Sequence, residues 1–105
     1  MEVIFHPIRL HPGASPEHFE AWVRETDYTA CAELPSVNAF TVHNVSRSPT
    51  AQVHFFEIIW VSSREAFERD TQTSVFRRLA LGFSEMASVV DEFVGQPIEP
   101  GYLAA

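Results

Sequence analysis

A chain of 105 residues and 11.9 kDa suits one domain, residues 1–105, and excludes a multi-domain reading. With 46% hydrophobic and 20% charged residues, and only 4 glycines and 7 prolines, disordered and low-complexity classes are excluded as well. Fourteen acidic against seven basic residues give a net charge of −7, so phosphate backbones and anionic headgroups would be repelled and neither nucleic acid nor membrane is an expected partner.

Along the chain, Glu2 to Leu10 is rich in Val, Ile and Phe and stops at His11-Pro12-Gly13, which predicts a first strand. Ser15 has the place of an N-cap, with Pro16 at the first helical position and Glu17 in the first turn. The stripe Phe19, Trp22, Val23, Thr26, Ala30 then predicts an amphipathic helix that ends at Leu34, before Pro35. Asn38 to Ser46 reads as a second strand, Arg47 to Thr50 as a turn, and Gln52 to Val61 as a third strand, the two strands forming a hairpin. Ser62 and Glu65 have capping-box spacing ahead of a short helical turn around Phe67, and Ser74 caps a longer helix carrying Phe76, Leu79, Ala80, Phe83 and Met86. Val89 to Val94 is the last strand, and the proline-containing tail behind it reads as irregular, with Tyr102 and Leu103 as anchors.

This βαββαβ order predicts an α+β, ferredoxin-like fold, in which two helices cover one face of a four-stranded antiparallel sheet. The segment VHFFEIIWV is apolar at nearly every position, so both sheet faces carry large apolar side chains while the helices bury only one. A second copy packed face to face is the expected cover, giving a homodimer with a ligand space between the two sheets, as in a dimeric α/β barrel.

Which side chains reach that space depends on the hairpin register, because a slip of one residue sends each to the opposite face. An even register keeps the helix side apolar, with Phe40, Val42, Asn44, His54, Phe56, Ile58 and Trp60. It sends Thr41, His43, Val45, Val53, Phe55, Glu57 and Ile59 to the open face, joined by Ile4, His6 and Ile8 of the first strand. The alternative, odd register puts Glu57 among Phe40, Val42, Phe55 and Ile59. On the even register, His43 and Glu57 are the expected acid–base pair, and His6, Ile8, Thr41, Phe55 and Ile59 border the bound molecule. A carboxylate between Phe55 and Ile59 needs a raised pKa or an imidazole partner, and either suits proton transfer. The competing reading is a pair that merely satisfies two polar groups at the dimer interface.

Other chemistries find less support. Every basic residue is arginine, which removes lysine Schiff-base chemistry, and the single Cys31 forms no internal disulfide. Cys31 falls off the apolar stripe, among Glu20, Arg24 and Asp27, with no basic cluster to activate it. His43, His54 and Glu57 offer two imidazoles and a carboxylate but need incompatible registers, so no metal is expected, and no glycine-rich phosphate loop suggests a nucleotide or flavin cofactor. The N-terminus lacks a basic, signal-like region, so the expectation is a cytoplasmic protein.

The segments VIFHPIRLHPG, FEAWVRETDYTACAELPSVNAFTVH and FFEIIWVSSREAFERD resemble the RedY-like, HapK-type proteins of prodiginine (prodigiosin) biosynthesis, over nearly the whole chain. These lie within the dimeric α/β-barrel superfamily, whose members also include cofactor-free monooxygenases, aromatic cyclases and haem-degrading enzymes. The resemblance implies a bacterial accessory protein of pigment assembly, holding a flat pyrrole or bipyrrole intermediate in the cavity. Two roles follow from it, an enzyme working by acid–base chemistry or a non-catalytic protein that binds and hands over the intermediate. A cofactor-free monooxygenase or cyclase using Asn44, Trp60 and His43 is the further alternative, although the even register keeps those three off a common face. Haem-degrading relatives hold iron with a histidine on the second long helix. Here the last histidine is His54, so haem is not expected.

Overall fold

The computed structural model describes residues 1–105. Strand β1 (Glu2–Leu10) leads into helix α1 (Pro16–Trp22), capped by Ser15, whose hydroxyl accepts from the His18 N–H at 3.2 Å. The helix continues through a π-helical turn (Val23–Asp27), a short α2 (Tyr28–Ala30) and a 3-10 turn (Cys31–Glu33). The hairpin strands are β2 (Val37–Asn44) and β3 (Phe55–Val61), followed by α3 (Arg64–Asp70) and α4 (Ser74–Ser84). The caps of α3 and α4 are Ser63 and Thr73, each one residue from the serine expected. The final strand is divided into β4 (Ala87–Val89) and β5 (Phe93–Gly95), both antiparallel to β1. With strand order β2-β3-β1-β4, the topology is the ferredoxin-like one, and the helices lie on one face. No helix is long and apolar enough to cross a membrane.

Pairing between β1 and β3 sets Ile4 against Ile59, His6 against Glu57 and Ile8 against Phe55. Ile4, Ile8, Phe55 and Ile59 are all buried, which identifies this as the face under the helices. Phe19 packs on Phe55 with ring centroids 4.8 Å apart, and Val23, Met86 and Ala87 complete that cluster. The opposite face carries Val3, Phe5, Phe56, Ile58 and Trp60, all partly exposed.

The hairpin register corrects the expectation. Val37 faces Val61 as an even register requires, but a β-bulge between Val37 and Ala39 adds one residue, and from Ala39 onward the register is odd. Val42 therefore faces Glu57, while His43 faces Phe56. A single inserted residue reverses the side on which every later β2 side chain projects. Glu57, on the same side as buried Phe55 and Ile59, lies under the helices, and the bulge puts His43 and Thr41 on the open face. His54, expected in β3, precedes it and is buried as a brace: its Nδ1 accepts from the Leu10 N–H at 2.9 Å, and its Nε2–H donates to the Ser48 carbonyl at 2.8 Å.

Candidate functional site

Between two apolar rungs of the helix-side sheet stands one polar rung, His6 and Glu57. His6 Nδ1 is 2.7 Å from Glu57 Oε2, and its Nε2 is 2.8 Å from Glu92 Oε2. A neutral imidazole has one N–H, whereas a ring set between two carboxylates must donate from both nitrogens, so His6 is held as the imidazolium. Burial, the largest single influence, works against the charged ring. The hydrogen bonds and charges of Glu57 and Glu92 together outweigh it, and the pKa of His6 ends above the usual 6.5.

Glu92 reaches His6 because the last strand is broken. Ile8 faces Val89 in β4 and Phe5 faces Phe93 in β5, so Val90, Asp91 and Glu92 span only His6 and Pro7 of β1. That extra residue, pinned by the Val90 N–H on the Pro7 carbonyl at 2.9 Å, turns Glu92 to the helix side. Without it, Glu92 would project with Phe93's present neighbours on the open face. Arg64 stands beyond Glu92, 3.8 Å from its other oxygen.

A comparable insertion shapes the helix. The π-helical turn Val23–Asp27 adds one residue to the turn, so the inward positions after Val23 become Asp27 and Cys31 instead of the predicted Thr26 and Ala30. Thr26 is exposed. Asp27 has no hydrogen-bond donor; burial, followed by the charge of Glu57, pushes its pKa up to about 7. Burial also pushes the Cys31 thiol up to about 11, with Asp27 and Glu57 adding to the effect, so it remains a neutral thiol at physiological pH.

These groups line a cavity of about 350 Å³ between the sheet and the helices of one chain, walled by Trp22, Phe40, Phe67, Phe76, Leu79 and Phe83. That is the size and composition of a small-molecule site with a few orienting polar groups. Gly82 makes room for one wall: a Cβ there would sit 3.0 Å from Trp22 Nε1. No group of three His, Cys, Asp or Glu side chains is arranged to hold a metal ion.

Of the residues expected around the ligand, His6, Glu57 and Ile59 line this cavity. Ile8 and Phe55 are buried in the solid core beside it. Thr41 and His43 hydrogen-bond each other at 2.8 Å on the far side of the sheet, where the His43 ring stacks on Phe56 at 4.5 Å. His43 and Glu57 are therefore not a pair, and the cavity that Glu57 lines lies within one chain, under its helices. The imidazole that holds Glu57 is His6. Strict periodicity puts Asp27 and Cys31 off the inward stripe and does not show the side of Glu92, because each enters the cavity through a one-residue irregularity.

The family model for the REDY-like protein HapK matches residues 2–98. The chain belongs to this family. It is 44% identical to HapK from Hahella chejuensis, whose crystal structure superposes with a TM-score of 0.95 and full coverage of both chains. Beyond the HapK family the likeness is one of fold. SnoaB, a cofactor-independent oxygenase from Streptomyces nogalater, is 18% identical with a TM-score of 0.71, over 94% of this chain and 95% of its own. A putative antibiotic biosynthesis monooxygenase from Bacteriodes thetaiotaomicron is 17% identical with a TM-score of 0.73, over 99% and 95%. No curated protein matches the chain. The HapK-family chain thus has an α+β, ferredoxin-like fold.

Proposed function

We propose that this HapK-family chain acts in bacterial secondary metabolism, holding a small planar aromatic intermediate of pyrrole or bipyrrole type in the sheet–helix cavity and moving protons on it. The observation that carries the reading is the polar rung of His6 and its carboxylate partner Glu57, with the unpaired Asp27 on the helix side, inside largely apolar walls. Asp27, poised near neutrality, gives a proton to a ring carbon or nitrogen, Glu57 is the base that takes one from the cation so formed, and His6 holds the Glu57 carboxylate in position. Proton transfer calls on no cofactor. The working unit is a homodimer joined through the open sheet face, where Phe5, Phe56 and the largely exposed Phe93 form an aromatic patch.

The test is deuterium exchange at the ring carbons of 2,2′-bipyrrole, followed by NMR with catalytic amounts of protein. The expected result is accelerated exchange that Glu57→Gln and His6→Ala abolish, while light scattering gives about twice 11.9 kDa. Tight binding with no acceleration would make the chain a hand-over protein. Absence of binding would contradict the placement of the ligand, and a stable monomer would contradict the dimer.

A further inference from the structure

From the donor and acceptor balance of the cavity we infer the class of molecule it admits: a planar aromatic that presents N–H donors or a protonated nitrogen and bears no carboxylate, phosphate or sulfonate. This rests on the reading that the cavity is the aromatic site. Both nitrogens of His6 are taken by Glu57 and Glu92, so the ring has no hydrogen left for a ligand. Thr71 is also occupied, donating to the Glu68 carbonyl at 2.6 Å and accepting from Gln72. Apart from the Trp22 indole N–H, the Cys31 thiol, which donates to the Asp27 carbonyl, and the outer Glu92 oxygen beside Arg64, the remaining polar atoms are oxygens: Glu57 Oε1 and the Asp27 carboxyl make no hydrogen bond. Neither is sealed off, since the one buried unpartnered side-chain oxygen in the molecule belongs to Glu2. Acceptors that reach the cavity unfilled are places for a donor.

Charge points the same way. None of the seven arginines lines the cavity. Arg9 is spent on Gln52, Arg24 and Arg47 on Glu20, and Arg64 stands outside Glu92. Besides His6, the one N–H among the lining side chains is the neutral indole of Trp22, lying against Gly82. An anion would enter apolar walls containing Glu57 and Glu92 with a single imidazolium to balance them, in a medium that screens poorly. A neutral N–H heterocycle or an ammonium group meets the opposite field.

Calorimetric titration at pH 8 with indole, indole-3-methylamine and indole-3-carboxylate separates the outcomes. Indole and the amine are expected to bind, and the carboxylate at least tenfold more weakly than indole. In Asp27→Asn/Glu57→Gln the gap should close to within threefold; should that double variant not fold, Asp27→Asn alone should narrow it at least threefold. A carboxylate that binds the native protein as tightly as indole overturns the inference while leaving the aromatic site standing. If none of the three binds, the aromatic site itself falls, and this inference with it.

Discussion

Two neighbouring stretches of the same sheet–helix interface are built in opposite ways. Around the Ile8–Phe55 rung the layer is solid: Phe19, Val23, Met86 and Ala87 close over it, and Phe55 and Phe19 are each only 1% exposed. One rung along, at His6–Glu57, the helices stand off and leave a cavity. Large apolar residues surround both, so hydrophobicity does not distinguish them. The difference is the polar rung, which no apolar side chain can cover without stranding a charge, together with the π-helical turn that brings Asp27 inward opposite it. A third rung, Ile4–Ile59, bounds the cavity on its other side, with Val61 behind it. Stability is thus concentrated on both sides of the site, which is free to keep groups that oppose folding.

Truncation should break the comparison most visibly. Phe55→Ala opens a void in the solid stretch and is expected to cost roughly 3–5 kcal/mol in urea unfolding, whereas Phe76→Ala, on a wall already facing open space, should cost about 1–2 kcal/mol. Equal losses would mean that the cavity collapses in solution.

Asp27 sharpens the contrast. Folded, it keeps its proton up to about pH 7; unfolded, it releases it near 3.8. Its raised pKa therefore gives stability that is full below about pH 4 and is lost as pH rises through 7. Asp27→Asn removes the loss, so the variant should exceed the native protein by on the order of 2 kcal/mol at pH 8, with a flatter Tm profile from pH 5 to 8. His6 acts in the same direction at higher pH: its contribution is full below about 6.5 and lost as pH rises through its raised folded pKa, so some decline should persist in Asp27→Asn. A variant less stable than the native protein at pH 8 would show that Asp27 is not desolvated.

The smallest effect belongs to the far side of the sheet. His43→Ala removes a ring stacked on Phe56 and should change unfolding by less than about 1 kcal/mol, leave indole affinity unchanged, and weaken the dimer severalfold in a dilution series. A loss of indole affinity instead would return His43 to the site.

Most of the fold was legible. β1 spans Glu2–Leu10 as its Val, Ile and Phe content and the following turn dictate, the Ser15 cap and Pro16 start the helix, and the sheet order follows from βαββαβ. The site was legible only in part, since His6 and Glu57 share a face in any register that pairs β1 with β3 this way, but the identity of that face was hidden. Phe55, Phe56, Ile58, Ile59 and Trp60 are apolar on both sides of β3, so alternation, the one signal that separates inside from outside, is missing. Three single-residue insertions hid the rest: the bulge after Val37 moved His43 away, the break after Val89 brought Glu92 in, and the π-helical turn exchanged Thr26 for Asp27. Each follows from tertiary packing and leaves no local mark in composition.

A ligand under the helices and one on the open face touch different sides of β3, and adjacent isoleucines of that strand report on the two sides. Ile59 lines the cavity, and Ile58 projects from the open face on the other side of the sheet. Methyl NMR of the protein titrated with indole tests this most directly. Shifts and ligand–protein NOEs are expected at the methyls of Ile59 and Leu79, with those of Ile58 and Val3 unmoved; NOEs to Ile58 and Val3, with Ile59 silent, would contradict a site under the helices.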